Sequence, residues 1–441
     1  MIFCYIIDII LKKGFLEMAE VKAFKALRFN TDKAGKIDEL VCPPYDIISE
    51  EQRKGYLAKN ENNIIRLELP KGDEPYKTAS ETLDKWLNES ILKRDDKDGI
   101  YIYEEEFSIN DIHTKFKGCI VRVKLEEFSK GIVLPHEETL SKAKEDRFNL
   151  MKATNCNFSQ IYSLYMDSEH KITGRLDKLS EGKPEIELTD GDGVTHRLWI
   201  VTDEAEINAI CGDFADKKLY IADGHHRYET ALNYRNYCHE NNIGDGGENY
   251  VMMMLVDMEH EGLVVLPTHR LVRDLENFDK EKLLNDCKEY FDITDEKDIN
   301  TAESKLKKLY DEGKKAFAFY SGDEGYNLLV LKDENIIAEL LPNKSKATQG
   351  LDVTVLHTLV LEKIFGIDAE NMAKQINLTY TRLFDEAVEG VRDGKFQCAF
   401  ILNPTRVTEI RDVAAAGEKM PQKSTYFYPK LITGLVMNKL F

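Results

Sequence analysis

Apolar and polar residues alternate along this chain in short blocks, and the spacing within each block predicts its element. The runs "GIYIYEEEF" (99–107) and "KFKGCIVRVKL" (115–125) have strand character and flank "SINDIHT", which predicts a strand pair. "NIIRLEL" (63–69), "HRLWIVTD" (196–203) and "KLYIAD" (218–223) read as further strands, as do the more continuously apolar "YVMMMLVDM" (250–258) and "GLVVLPTHRLV" (262–272). Residues 76–92 have helical spacing, with Leu83, Trp86 and Leu87 on one side. In "VCPPYDIISEEQRKGYL" a Pro-Pro turn leads to a helix capped at Ser49, with Glu50 and Glu51 in its first turn. "LPHEETLSKAKEDRFNLMKATNCNFSQIYSLYM" reads as a loop, a polar helix and a strand ending near Met166. Later segments alternate helices such as "AESKLKKLY" with strands such as "KAFAFYS", "YNLLVLK" and "FQCAFIL". There is no internal repeat, and the mixture of strand pairs with single helices predicts an α+β protein.

At 441 residues the chain is long enough for two domains. The division expected is 18–272 and 273–441, preceded by a segment 1–17 whose short apolar run is interrupted by Asp8 and followed by Lys12 and Lys13. That run is too short to span a bilayer and has its charges on the wrong side for a signal peptide; Met18 is the expected true start, with 1–17 non-native or disordered. A formal charge of −19 argues against a general nucleic-acid binder, so an anionic ligand has to meet a local basic pocket. The eight cysteines are scattered without a CxxC, so neither a disulfide framework nor a zinc ribbon is indicated and a reducing cytoplasm is expected.

Candidate chemistry concentrates in "YIADGHHRYETAL" (220–232), where a strand ends in Asp223-Gly224 and a helix opens with His225, His226 and Arg227. A glycine turn into a helix start presents backbone amides and the positive end of the helix dipole, which together favour an anion. Arg227 and the two histidines add side-chain donors, while Asp223 suits a magnesium ligand or a base acting on a hydroxyl. The plainer reading is a capped helix with Arg227 paired to a carboxylate. Adjacent histidines diverge by about 100° on a helix, unlike a metal-sharing i, i+4 pair, so zinc is not expected there.

Three other clusters are chemically dense. "PHEETLSKAKEDR" carries His136 and Glu137, then Lys144 and Arg147 one helical turn apart. "LPTHRL" places His269 and Arg270 after Pro267, and "PQKSTYFYPKL" sets Lys423 and Ser424 beside aromatics. No GxxxxGK[ST], HExxH or GxSxG occurs, and "GDGGEN" is a glycine fragment in a polar loop rather than a strand-to-helix fingerprint.

On "VCPPYDIISEEQR", "PHEETLSKAKEDRFNLMKATNCNFSQIY", "YIADGHHRYETA", "LPTHRLV" and "GEKMPQKSTYFYPKLITGLV", in that order, the chain resembles a bacterial and archaeal family catalogued as domain of unknown function 1015. More narrowly, "DGHHR" is similar to the phosphate-binding turn of the ParB/sulfiredoxin superfamily, particularly its free serine kinases. That resemblance implies a ParB/sulfiredoxin-like nucleotide-binding domain carrying large additional α+β elements. It implies phosphate and metal roles for Asp223, Gly224, His225, His226 and Arg227, with Asp223 and His226 catalytic. A catalytic carboxylate near the N-terminal part is also implied; Asp46, Glu50 and Glu68 are the candidates, and Glu68 is carried forward.

The expectation is a cytoplasmic, magnesium-dependent phosphotransferase of serine metabolism, moving phosphate between ATP or ADP and L-serine or phosphoserine. Lys144, Arg147, His269 and Arg270 are expected to bind phosphate or nucleotide, and His136, Glu137, Lys423 and Ser424 substrate. The partners are small molecules, with no nucleic acid and no membrane. The rival readings are a phosphoserine phosphatase without nucleotide and a non-catalytic nucleotide-binding regulator.

Overall fold

The computed structural model describes residues 18–109, 112–139 and 141–441; the expectation for 1–17 lies outside them. The chain divides into two compact units. One holds the described residues up to Pro135 together with Thr139–Leu263 and Pro429–Phe441, and the other holds His136–Glu138 and Val264–Tyr428.

In the first unit the strands that matter are β1 (Val21–Lys22), β2 (Ile100–Ile109), β3 (Ile112–Lys124), β4 (Val133–Leu134), β5 (Ile161–Tyr165), β6 (Ile186–Thr189), β7 (Thr195–Val201), β8 (Leu219–Asp223) and β9 (Tyr250–Asp257). They form one mixed sheet in the order β4-β8-β5-β9-β3-β2-β7-β6, with β1 beside β3. The expected pair around "SINDIHT" is the antiparallel β2–β3 ladder, which runs from Tyr101↔Ile120 out to Ile109↔Ile112. β5 and β9 run parallel and are buried almost throughout, as a continuous apolar strand should be.

The helices of this unit that bear on the site are α1 (Glu50–Lys59), α2 (Ile65–Glu68), α3 (Pro75–Asn88), α4 (Ser141–Thr154) and α5 (His225–Asn241). Helix α1 starts as expected, in a capping box between Ser49 and Gln52. Helix α5 buries Tyr228, Ala231 and Leu232 in the same core as Ile161, Ile221 and Met253 of the sheet. Burial of a side chain the size of Leu232 contributes about 1.5–3 kcal/mol. A second core gathers Leu83 and Trp86 of α3 with Ile64, Ile65, Leu67 and Met437.

Two expected strands are different in the structure. "NIIRLEL" folds as α2: Asn63 donates to the carbonyls of Glu39 and Val41 while its own side-chain oxygen accepts from the Ile65 amide, so the segment turns instead of extending. "GLVVLPTHRLV" is split into Val264–Val265 and β10 (His269–Val272), because Pro267 has no amide to continue a ladder.

The second unit has its own antiparallel sheet of β10, β11 (Phe291–Glu296), β12 (Ala316–Tyr320), β13 (Tyr326–Leu331), β14 (Leu378–Thr381) and β15 (Cys398–Ile401), in the order β11-β13-β12-β15-β10-β14. The units therefore part at Leu263/Val264 rather than at 272/273: β10 pairs with β14 and β15 and belongs to this sheet. Residues 429–441 belong with the first unit, where Leu27 and Met437 exchange backbone hydrogen bonds, as do Cys42 and Thr433. Both units combine helices and sheet, so the protein is α+β. Among the described residues no helix is long and apolar enough to cross a membrane, and seven cysteines are unpaired thiols.

Candidate functional site

The turn after β8 is built by a ladder irregularity and a glycine. The β8–β5 register shifts between Ile221 and Asp223, a bulge that re-aims the strand's last side chain. Gly224 then takes φ 93° and becomes the N-cap of α5. A Cβ there would lie 2.9 Å from the Arg227 guanidinium, so both backbone conformation and space call for glycine. With no side-chain cap on α5, the positive end of its dipole faces the turn.

Asp223 is the hinge of the charges. Its Oδ2 accepts from Arg227 Nη2 at 2.8 Å and its Oδ1 from Lys430 Nζ at 2.8 Å, and Arg227 Nη1 also donates to the Gln160 carbonyl. Burial works against ionisation of Asp223, but Lys430 and Arg227, with His225 adding to them, hold it well below the usual carboxylate range. Such a carboxylate is a weak base at neutral pH, and its evident job is to orient two cations. His225 is buried and His226 half-buried in the first turn of α5.

Beside the turn, a cavity of about 40 Å³ is lined in part by Arg227, Glu68, Arg147 and Ser159. Glu68 is 2% exposed and accepts a 2.8 Å hydrogen bond from Ser159 Oγ. Burial raises the Glu68 pKa, with Arg147 and the Ser159 hydrogen bond opposing it. Arg147 donates to the Glu68 carbonyl at 2.7 Å, grips Asp146, and lies 4.0 Å from the centre of the Tyr45 ring. Its guanidinium is thus enclosed among protein groups, where a phosphate-binding role was expected. Lys144 lies on the flank of α5, its Nζ 2.7 Å from Glu229 Oε2, which also accepts from Thr139 at 2.7 Å.

The remaining expected residues lie in the second unit. His136, fully buried, has Nε2 2.9 Å from Thr425 Oγ1, which also lies 3.4 Å from Glu137 Oε1. His269 accepts the Leu402 amide on Nδ1 at 3.3 Å; burial, reinforced by Arg270, pushes its pKa down to about 3 and keeps the imidazole neutral. Arg270 is 1% exposed and donates to His357 Nε2 at 3.3 Å and to the carbonyls of Thr268 and Lys423. Lys423 therefore contributes a carbonyl to this cluster. Ser424 is buried, its hydroxyl donating to the Pro421 carbonyl and its own carbonyl accepting from Thr405 at 2.7 Å.

The structure thus brings Asp223, Gly224, His225, His226 and Arg227 together at one turn, with Glu68 and Arg147 across a small cavity from Arg227. Lys430 was missed as a site residue. It stands in the segment "YFYPKL", but nothing in residue spacing ties that segment to a turn 207 positions earlier. Ser159 and Tyr45 were missed for the same reason.

Among the described residues no group of three or more His, Cys, Asp or Glu side chains could hold a metal. Asp223, the expected magnesium ligand, already has a cation on each oxygen. The residues present do not fit a resident magnesium ion.

A strand end, a bulged glycine turn and a helix N-terminus thus meet at Asp223, which pairs with both Arg227 and Lys430. The chain belongs to the family described as protein of unknown function (DUF1015), whose model matches residues 21–354. No curated protein matches it. Similar solved structures include a conserved hypothetical protein from Pyrococcus furiosus, 15% identical over 73% of this chain and 94% of that one, TM-score 0.35. Others are a free serine kinase variant in complex with ADP, 13% identical over 72% and 91%, TM-score 0.35, and SbnI with a C-terminal truncation from Staphylococcus aureus, 10% identical over 73% and 87%, TM-score 0.34. At such scores these likenesses carry no functional weight.

Proposed function

We propose that the 223–227 turn binds the phosphate groups of a nucleotide, and that the protein is a phosphotransferase moving phosphate between ATP or ADP and L-serine or phosphoserine. The observation that carries this reading is the bridge Arg227–Asp223–Lys430 at the uncapped start of α5, which sets two cations beside a helix dipole. The resemblance of "DGHHR" to the phosphate turn of free serine kinases supports the choice of substrate.

Phosphoryl transfer asks mainly for positioning and charge neutralisation. In the forward direction the serine hydroxyl oxygen bonds to the terminal phosphorus of the nucleotide, the bond from that phosphorus to the bridging oxygen breaks, and the hydroxyl proton leaves to a base. Arg227, Lys430 and the α5 amides take the growing negative charge on the leaving phosphate. Glu68 is assigned as the base. Burial raises its pKa, whereas that of Asp223 is lowered, and the cavity it shares with Arg227 has room for water to carry the proton. Asp223 becomes a positioning residue and His226 a hydrogen-bond donor to the bound phosphate. Lys144 and Arg147, in the same unit as the turn, are retained as proposed phosphate residues.

The test is phosphorus NMR of the protein with L-serine plus ATP, L-serine plus ADP, and phosphoserine alone, with His226→Ala as control. Phosphoserine formed at the nucleotide's expense is the expected result. Phosphate released from phosphoserine alone would replace the kinase with a phosphatase. Nucleotide binding without turnover in any mixture would leave a regulator.

A further inference from the structure

A second concentration of positive charge lies in the first unit, outside the turn. Lys22 of β1, Arg94 of the short strand Leu92–Arg94, and Arg122 and Lys124 of β3 line one pocket of about 600 Å³. That volume suits a small organic ligand. On a chain of net charge −19, four cations around one concavity need a physical explanation.

The lysines are already compensated. Lys22 and Lys124 lie 3.0 and 3.1 Å from the two oxygens of Glu20, which also accepts from Tyr250 Oη at 2.6 Å. The arginines are not. Among the described residues, neither Arg94 nor Arg122 has a carboxylate within ion-pair distance. Arg94 donates to the carbonyls of Lys439 and Lys25, at 2.8 and 3.5 Å. Arg122 has one 3.5 Å contact with the Ala23 carbonyl, and its buried Nε has no hydrogen-bond partner. Burial pulls the Arg122 pKa down, and Asp98, Tyr250 and the pocket-lining Asp245 act the other way only through longer-range attraction. A half-buried guanidinium left this way is expensive unless something supplies acceptors.

The pocket is also shaped. Tyr250 presents its ring to both Lys22 and Arg122, with Nζ 4.5 Å and Cζ 5.5 Å from the centroid. The rim is the "GDGGEN" loop, whose Gly247 packs so closely that a Cβ would lie 2.0 Å from the Leu440 carbonyl oxygen. Three of its amides are used within the loop: Gly246 donates to Glu248, Gly247 to Asp245 and Asn249 to the Gly246 carbonyl. The loop thus contributes a closely packed wall, and the guanidinium donors of Arg94 and Arg122 remain open to a ligand.

We infer that this pocket binds a compact oxyanion with at least two negative charges, gripped by Arg94 and Arg122 and flanked by the Tyr250 ring. Guanidinium forks match phosphate and carboxylate geometry equally well. The two sources are separated by the probe.

The experiment is calorimetric titration of the full chain with pyrophosphate and, separately, with citrate, while hydrogen exchange reports where each one lands. The expected result is protection of amides around Arg94 and in 245–250, with affinity falling roughly tenfold or more in Arg94→Gln and in Arg122→Gln. Binding of pyrophosphate alone assigns phosphate chemistry; binding of both assigns a general polyanion site. Arg94 is exposed, so its variant keeps the fold, and Arg122→Lys keeps charge while losing the fork and should weaken binding as well. Failure of both probes to bind, affinity unchanged in the double glutamine variant, or protection confined to 224–230 would overturn the assignment.

Discussion

Asp223 and Lys430, 207 positions apart in sequence, form a 2.8 Å ion pair on the oxygen of Asp223 that Arg227 does not use. The carboxylate thereby holds two cations together that would otherwise repel each other. Asp223→Asn leaves both without a counter-charge. The variant is expected to melt at lower temperature, by the equivalent of about 1–3 kcal/mol, yet to bind inorganic phosphate more tightly than the wild type. Thermal melts with increasing phosphate check this, since a ligand held only by the folded form raises its stability. A variant that recovers less than the wild type would remove the turn from the list of anion sites.

Lys430→Met tests the same bridge from its other end. Asp223 keeps Arg227, so the turn survives, but half of the charge available to a leaving phosphate is gone. Nucleotide affinity should drop about tenfold or more in fluorescence titrations, and addition of salt should weaken the variant less than the wild type.

Glu68→Gln separates base from scaffold. The amide still accepts from Ser159 and fills the same volume, and removing a buried carboxylate whose pKa is raised by burial should leave stability equal or higher. Phosphoserine formation should nonetheless fall by 10²-fold or more, on the order expected for loss of a general base. Retained turnover with an unchanged pH profile would exclude Glu68 from the reaction.

His196 sets an alkaline limit. It lies between Asp190 at 3.1 Å and Glu105 at 3.3 Å, and although burial disfavours its charge, those two carboxylates push its pKa up to about 9. Because the folded value exceeds the unfolded one, the stabilisation is complete below about pH 6.5 and is lost as pH rises through 9. Denaturant melts from pH 7 to 10 should show a decline that His196→Gln abolishes.

Asp352 acts in a different window. Neither of its oxygens has a hydrogen-bond donor in normal reach, Lys315 is 3.7 Å away, and burial pushes the carboxyl up to about 7. The unfolded chain releases this proton first, so stability falls as pH rises from about 4 to 7 and then levels off. Asp352→Asn should flatten that slope and stabilise the protein at pH 8 in the same melts.

Locally encoded features were legible in the sequence. Ser49 and Gln52 cap a helix within four residues, Asp223-Gly224 turns where a strand meets a helix, and the β2–β3 pair follows from its own alternation. Features decided at long range were not. Asn63 bends "NIIRLEL" into a helix by bonding to carbonyls at 39 and 41, which overrides the strand preference of its isoleucines. The same limit applied to the site: Gly224 and Arg227 declared themselves by spacing, whereas Lys430, Ser159 and the enclosure of Arg147 depend on contacts that no local pattern encodes.

The return of residues 429–441 to the first unit makes 264–428, nearly all of the second unit, an insertion within the chain of the first. A ribosome therefore finishes the whole second unit before it delivers Lys430, and until then Asp223 lacks one of its two ion-pair partners. The Arg227–Asp223–Lys430 bridge can be completed only late in synthesis. Fragments ending near 263 should lack it even where they fold, and joining residue 263 to 429 through a short linker is the way to ask whether the first unit stands alone.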